Sequence, residues 1–465
     1  MRRRDFLSAL AGASLIRPDA RRGFAQSTQP WDRAAEILRR IVPPRFPSRQ
    51  FDITRFGAVG NGKADATSAI RRAIATCRAA GGGRVVVPRG RFLTGGIRLA
   101  SGVNLHLAAD ATLAFSGDAR QYLPLVLTRF EGTELMNYAP FIYAFEAQNI
   151  AITGSGTLDG QAHAEVWWNW RGEGPAATSR QAPARDRLLD LGARGVPVKD
   201  RVFGAGHWLR PTFIQPYRSR NVLIEGVTII NSPMWEINPV LCQNVTVRNV
   251  SIRSHGPNND GCDPESCRDV LIEGCTFDTG DDCIALKSGR NNDGRRVNTP
   301  IENVVIRHCT MKDGHGGVVI GSEISGGARN IFVEQCRMDS PRLDRALRIK
   351  TNSVRGGIVE GIYLRDVVVG QVAEAVVTID FFYEEGDAGP FPPIVRDVEV
   401  RNVTSKKSKY GLLLKGYAKA PIADVRLIDC RFDGVADGDV IEAVRDLSRT
   451  NVVVNGTAIT DRISR

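Results

Sequence analysis

Three features that would place this chain in common protein classes are absent from its sequence. The apolar stretch Phe6–Ile16 has 11 residues, too few to span a bilayer, which needs about 20. The nine cysteines include no Cys-x-x-Cys pair, the spacing typical of zinc sites. Helical patterning is nearly absent from the second half of the chain. We therefore expect no membrane span, no structural metal and no cofactor.

What the sequence has instead is an internal repeat. Its steps of 23, 25, 34 and 27 residues are typical of a solenoid, in which each coil buries its apolar face only against its neighbours. Apolar and polar residues alternate within the repeat, as in a strand. The sequence thus predicts an all-β, right-handed, single-stranded parallel β-helix. The motif, Asn/Asp-Val-x-Val/Ile-x-x-Cys/Val, begins at Asn221, Asn244, Asp269, Asn303, Asn330, Asp397 and Asp424, and less cleanly at Gly361 and Asn451.

Cysteines recur at one position of this repeat: Cys275, Cys309, Cys336 and Cys430. Free cysteine behaves as a small hydrophobic residue, so we interpret the four as an internal stack. A disulfide between Cys262 and Cys267, or from Cys242 to a neighbour, is the alternative. Because the total is odd, at least one thiol stays unpaired.

The N-terminal residues 1–25 resemble a twin-arginine export signal, with Arg2–Arg4 before a short apolar stretch. Their removal would lower the net charge from +11 to +7. We expect a periplasmic or secreted protein. A basic exported protein favours anionic partners, and acidic polysaccharide is preferred over nucleic acid, since no nucleic-acid-binding motif is present.

The remaining chain divides into a lead-in segment at 26–50 and a β-helix domain at 51–465. Within Asp65–Ala80, residues Ile70, Ala73, Ile74 and Cys77 have the spacing of an amphipathic helix, which we expect to cap the first coil. An insertion at about 161–220 carries four of the six tryptophans.

Candidate catalytic residues stand at successive turns of the repeat. They are Asp260, the pair Asp281 and Asp282, His315, and the pair Arg348 and Lys350. Equivalent positions of stacked coils become neighbours, about 4.8 Å apart, so these side chains are expected to share one face. Three close carboxyl groups repel one another when ionised, so at least one should keep its proton near neutral pH.

Several motifs in order resemble glycoside hydrolase family 28, the polygalacturonases, and among them the bacterial exo-acting members. They are Phe56–Asp65, Gly95–Leu99, Leu158–Gly160, Asn258–Asp260, Gly280–Asp282, Gly314–Gly316, Arg348–Lys350 and, more weakly, Tyr383–Gly386. The resemblance implies hydrolysis of α-1,4 bonds between galacturonate units with inversion and without a metal.

The same resemblance assigns roles. Asp281 would be the general acid, with His315 hydrogen-bonded to it, and Asp260 and Asp282 would hold the attacking water. Inverting enzymes usually separate acid and base by about 6.5–9.5 Å. Arg348, Lys350 and Tyr383 would contact the substrate, the two cations through a galacturonate carboxylate.

Other functions stay open. A rhamnogalacturonan or xylogalacturonan hydrolase would share the aspartates, and a pectate lyase or a non-catalytic carbohydrate-binding β-helix would share the fold. We expect a monomer that acts on pectic polysaccharide. The insertion favours exo-action because it could close one end of the groove, while endo-action is the alternative.

Overall fold

The computed structural model describes residues 30–172 and 178–463. The predicted export signal at 1–25 lies outside them. The described chain forms a right-handed parallel β-helix, as predicted. Most coils contribute one strand or bridge to each of three parallel stacks.

The first stack pairs its strands in parallel from one end of the solenoid to the other. Its strands are Gln50–Asp52, Gly83–Val87, Val103–Leu107, Gln148–Gly154, Arg220–Glu225, Gln243–Arg248, Arg268–Glu273, Ile301–Arg307, Ala328–Glu334, Ile358–Val369, Ile394–Ser405, Ile422–Ile428 and Val444–Val454.

The second stack follows it in each coil. Its strands are Asn61–Asp65, Gly90–Thr94, Ala111–Phe115, Thr157–Asp159, Thr228–Ile230, Ser251–Ser254, Thr276–Thr279, Thr310–Met311, Arg337–Met338 and Arg431–Phe432, together with the ends of the long first-stack strands.

The third stack carries the candidate site. Its strands are Ile97–Arg98, Ile142–Phe145, Ile214–Tyr217, Ile284–Leu286, Val318–Gly321, Arg345–Lys350, Ala375–Asp380, Tyr410–Lys415 and Val440–Glu442, with bridges through 237–240 and 262–265 between the third and fourth.

The repeat motif has a backbone cause. Asn221, Asn244 and Asp269 have φ of 55°, 57° and 59°, and every other motif start shares this left-handed conformation. Asn, Asp and Gly adopt it at the lowest steric cost. Asn244 Nδ2 donates to Asn221 Oδ1 at 2.7 Å, so the side chains also form a ladder between coils. The motif marks the corner where each coil enters the first stack.

The residue after each corner places an aliphatic side chain inside the solenoid. Val222, Val245, Val270 and Val304 stand in register on consecutive strands and are buried. The predicted cysteine stack lies beside them. All nine cysteines are buried and free, so the alternative of a disulfide at Cys262 and Cys267 is wrong.

Helix Thr67–Ala79 caps the first coil with Ile70, Ala73, Ile74 and Cys77 buried, as the sequence predicts. At the other end, Thr457–Ile463 pairs antiparallel with the last first-stack strand. Both ends of the apolar core and of the strand ladder are therefore covered.

A second helix, Pro30–Arg40, was not predicted from the sequence. It packs outside the first stack, with Ala34 and Ile37 buried against Leu271, Val305, Phe332 and Tyr363. The lead-in segment is thus a strap that crosses several coils.

Two excursions cover the third stack on its N-terminal side. Strands Val126–Phe130 and Thr133–Asn137 form an antiparallel hairpin. The insertion contains helices Trp168–Arg171 and Ala182–Ala193. The insertion ends before the expected boundary at 220, because strand Ile214–Tyr217 already pairs with strand Ile142–Phe145 of the β-helix. The other short elements are helix Asn291–Val297 and the 3-10 turns Ile53–Phe56, Ala119–Tyr122 and Val198–Asp200.

In the described residues, no helix is long and apolar enough to cross a membrane.

Candidate active site

The loops that lead from the second stack into the third hold the three aspartates. Asp260 precedes the bridge at Cys262, and Asp281 and Asp282 precede strand Ile284–Leu286. Cys262 pairs with Ile284, so the two loops are adjacent. Gly280 permits this approach, since a Cβ there would meet the carbonyl oxygen of Gly256 at 2.7 Å.

The three carboxyl groups converge as the repeat predicts. One oxygen from each of Asp260, Asp281 and Asp282 lies within 4.8 Å of the others. The side chains of Asp260 and Asp282 are 4% and 0% exposed, whereas that of Asp281 is 17% exposed. Only Asp281 therefore presents substantial carboxyl surface to solvent.

The other predicted residues surround this cluster. His315 Nδ1 lies 2.9 Å from Asp281 Oδ1. The ring of Tyr383 has its centroid 5.3 Å from Lys350 Nζ and 5.6 Å from Arg348 Cζ. A cavity of about 500 Å³ is lined by six of the seven predicted residues: Asp260, Asp281, His315, Arg348, Lys350 and Tyr383. The seventh, Asp282, is fully buried beside them.

The cation pair lies on one face, but its partner differs from the expected substrate carboxylate. Lys350 Nζ donates to Asp282 Oδ2 at 2.7 Å, and Arg348 Nη1 is 3.8 Å from Asp282 Oδ1. Burial acts to lower the pKa of Lys350, but the charge of Asp282 outweighs it and raises that pKa. Lys350 therefore neutralises Asp282, which leaves Arg348 as the freer cation of the pair.

Proton affinities differ among the aspartates. Burial, followed by the charges of Asp263 and Asp281, raises the pKa of Asp260 well above its usual value. Burial also acts to raise the pKa of Asp281, but the hydrogen bond with His315 and the charge of Lys350 outweigh it and lower that pKa to about 2. Asp260 thus holds its proton more tightly than Asp281, which was expected to be the acid and which loses its proton readily beside His315.

The hydrogen bond to Asp281 first, and its charge as well, raise the pKa of His315 above the ordinary 6.5. The Asp281–His315 pair therefore holds one proton between its two members up to a pH above 6.5.

Comparison with known proteins fits this arrangement. The model of "Glycosyl hydrolases family 28" matches residues 205–445, more than half of the chain. A crystal structure of a hyperthermoactive exopolygalacturonase from Thermotoga maritima is 44% identical, covers 93% of this chain and 99% of its own, and superposes with a TM-score of 0.90. The chain belongs to glycosyl hydrolase family 28. It is thus a glycoside hydrolase.

Two relatives of lower sequence identity also have polygalacturonase-type names. A probable polygalacturonase of Vitis vinifera is 28% identical over 385 residues, which are 80% of this chain and 71% of the relative. An exo-poly-alpha-D-galacturonosidase of Dickeya chrysanthemi is 27% identical over 77% of this chain, and the match spans 62% of that protein.

Sequence reasoning missed one cation of this family 28 site. Lys287 Nζ lies 3.6 Å from Asp260 Oδ2, 3.6 Å from Asp263 Oδ2 and 3.3 Å from Glu323 Oε2. Its ammonium also lies 4.3 Å from the centroid of the Trp235 ring. A signal was available, because Lys287 directly follows the strand after Gly-Asp-Asp, much as Lys350 ends the strand that carries Arg-Ile-Lys.

The hairpin and the insertion supply the far wall of the cavity. Glu131 comes from the hairpin tip, and Arg171, Gln181 and Arg185 come from the insertion. The hairpin and the insertion pack on Met234 and Trp235 of an earlier coil, while Glu131 at the hairpin tip lies 3.3 Å from Arg290. The enzyme therefore has a groove with a wall at its N-terminal end and later coils at its other end.

One buried arginine ties this wall to the aspartate loop. Arg210 donates to Gln181 Oε1 at 3.0 Å, to Asn258 Oδ1 at 2.7 Å and to the carbonyl oxygens of Pro233 and Pro257. All four acceptors are neutral, and burial lowers the pKa of Arg210 to about 9. Because Asn258 is two residues from Asp260, the insertion and the catalytic loop are held as one unit.

Proposed function

We propose that this protein hydrolyses the α-1,4 bonds of polygalacturonate, with inversion, from a chain end. The observation that carries the proposal is the aspartate cluster at the floor of a cavity that is also lined by Arg171 and Arg348. Carboxyl groups supply acid and base, and the cations suit an acidic sugar. The similarity to an exopolygalacturonase and to an exo-poly-alpha-D-galacturonosidase supports the same substrate.

Proton delivery is assigned to Asp281 with His315. In the resting site the shared proton is on His315. A bound galacturonate brings negative charge and displaces water, and both raise the pKa of a nearby carboxyl group. The proton then passes to Asp281 and on to the leaving glycosidic oxygen, and the bond from that oxygen to the anomeric carbon breaks.

Water activation is assigned to Asp282 and Asp260. Asp282, ion-paired with Lys350, is the base that accepts a proton from water, and Asp260, whose pKa is raised by burial, orients that water. The oxygen of the water forms the new bond to the anomeric carbon. One proton is delivered to the leaving group and one is taken from water, so the reaction balances.

The spacing of the carboxyl groups does not itself favour inversion, since their nearest oxygens are within 4.8 Å and inverting pairs are usually about 6.5–9.5 Å apart. Burial favours it instead. Asp260 and Asp282 are too buried to attack a sugar carbon directly, whereas a water between them can. Proton NMR directly after mixing should show the β anomer first; an α anomer would mean retention.

Exo-action is assigned from the position of the insertion in the cavity. Arg185 and Gln181 lie where a chain would continue past the terminal sugar, so one end of the substrate stops in the cavity. Chromatography of polygalacturonate digests should show monomer or dimer from the earliest times, with Asp281→Asn protein as the inactive control. A ladder of oligomers would indicate endo-action, and no product would refute the substrate.

We also propose that residues 1–25 direct twin-arginine export and that the mature enzyme is a monomer. A fusion of residues 1–25 to a reporter should reach the periplasm, and Arg3→Lys with Arg4→Lys should abolish that transport. Light scattering of the mature chain should give the mass of one copy.

A further inference from the structure

We propose a second uronate-binding subsite on the later coils, formed by Phe382 and Lys415, which holds a sugar of the substrate chain beyond the cleaved bond. This inference rests on the proposed function, because it takes the polymer in the cavity to be an acidic glycan. Neither residue belongs to the motifs that resemble family 28 or to the site predicted from the sequence.

The direction in which the substrate chain runs follows from the closed end of the groove. Hairpin and insertion close the groove toward the earlier coils, so the remaining substrate has to continue across the later strands of the third stack. Lys350 pairs in register with Asp380, and Asp380 with Lys415. Lys415 therefore lies two strands beyond Lys350, about 10 Å along the solenoid axis.

Phe382 offers an aromatic platform at this point. It follows Asp380 and precedes Tyr383, which lines the cavity, and it is 45% exposed. Its ring packs edge-on against Tyr417, with centroids 4.9 Å apart at 84°. Asp380 Oδ1 accepts a hydrogen bond from the Phe382 backbone at 2.8 Å, which fixes the start of this loop.

Lys415 supplies an available charge beside that ring. Its ammonium lies over the Phe382 ring, 5.5 Å from the centroid, and the residue as a whole is half-buried. Within residues 30–172 and 178–463, no carboxylate oxygen lies within 4.0 Å of it, whereas the neighbouring Lys419 is paired with Asp387 at 2.6 Å. The acids on the adjacent strands are Asp380, which is turned to the Phe382 backbone, and the exposed Glu442.

An exposed ring beside an unpaired ammonium matches the chemistry of a uronate, which has an apolar sugar face and a carboxylate. A hexose spans a length close to one strand spacing of about 4.8 Å. Arg348, the freer cation of strand Arg345–Lys350, and Lys415 stand on alternate strands, so they fit the carboxylates of alternate sugars. With one sugar in the closed cavity and the next at Arg348, a tetramer is the shortest substrate that reaches Lys415.

The test is the dependence of kcat/KM on chain length for purified galacturonate oligomers from dimer to hexamer. For Lys415→Met and Phe382→Ala we expect kcat/KM on the tetramer and longer chains to fall about threefold to fivefold, the effect of one partly exposed ion pair, with the dimer unchanged. Lys415→Arg should retain wild-type values. Lys63→Met, which removes an exposed charge on an early coil, is the matched control and should change nothing at any length.

Equal losses at every length, or no loss, would overturn the subsite. If the wild type hydrolyses no oligogalacturonide, the proposed function fails, and calorimetric titration with intact dimer and tetramer then decides the subsite separately. A loss of affinity confined to the tetramer in Lys415→Met would uphold it, and unchanged affinity would reject it.

Discussion

Asp281 differs from the other two aspartates in exposure. Its side chain is 17% exposed and reaches the cavity, whereas Asp282 is fully buried. Asp281→Asn removes the transferable proton but little volume, so turnover should fall by about 10²–10⁴-fold while substrate binding persists. Steady-state kinetics and titration with oligomer would measure both. A variant with more than half of the wild-type activity would exclude Asp281 as the acid.

His315 sets the upper pH limit of activity. Its pKa is raised above 6.5, mainly by the hydrogen bond to Asp281, so the shared proton is present below that raised value and is lost as pH rises through it. Activity should therefore decline only above pH 6.5. In His315→Gln the decline should begin at lower pH, because Asp281 must then hold the proton alone.

The pH profile of kcat for both proteins is the measurement. The same pair adds stability that is fully present between about 3.8 and 6.5. It disappears as pH rises through the raised pKa of His315 and as pH falls through the pKa of Asp281, which is lowered to about 2. If the decline of kcat at high pH were the same in His315→Gln as in the wild type, His315 would only pack against the loop.

Arg348 and Lys350 should respond differently to truncation, because only Lys350 contacts Asp282 closely. Lys350→Met leaves Asp282 with Arg348 alone, at 3.8 Å. Removal of one partner of a buried charge pair costs about 2–5 kcal/mol, and we expect the loss chiefly in kcat. Arg348→Gln should instead raise KM for polygalacturonate more than for methyl-esterified pectin. If both variants changed kcat and KM equally on both polymers, Arg348 and Lys350 would not have separate roles.

At the scale of the element, helix Pro30–Arg40 acts as a strap across the first stack. Ile37 is fully buried against the coils, Arg40 Nη2 is 2.8 Å from Asp269 Oδ1, and Val42 exchanges hydrogen bonds with Asn244. These contacts bind segments that are about 200 residues or more apart in sequence.

Ile37→Ala should weaken the docking of this helix by about 2–5 kcal/mol, the usual cost of truncating a buried isoleucine. Hydrogen exchange of the amides in 30–40 would report it as faster exchange. Glu36→Ala, on the exposed face of the same helix, is the control and should exchange like the wild type. Equal exchange in both variants would mean that the strap is held by its polar contacts.

At the scale of the whole molecule, charge balance decides whether the aspartate cluster needs a cation. Lys350 pairs with Asp282, and Lys287 lies within 3.6 Å of both Asp260 and Asp263. These two ammonium groups already offset the acids, so we expect activity to survive excess EDTA. Loss of activity that calcium restores, with an unsaturated product absorbing in the ultraviolet, would indicate a lyase.

The sequence by itself determined the fold and the identity of most site residues. The repeat of Asn, Asp or Gly at one corner reflects a left-handed backbone conformation that few residues adopt, so it is visible without coordinates. In a solenoid, neighbours in space are also successive turns in sequence. Asp260, Asp281 and His315 could therefore be placed together from their spacing.

Only the tertiary structure decided which charges pair. Lys350 pairs with Asp282, and the pKa of Asp260 is raised while that of Asp281 is lowered. Burial and the total of surrounding charges set a pKa, and neither is encoded in spacing along the chain. Lys287, Arg210 and the strap at 30–40 act across 23 to 297 residues. Such contacts depend on how loops fold back over the coils, which no local pattern in these segments specifies.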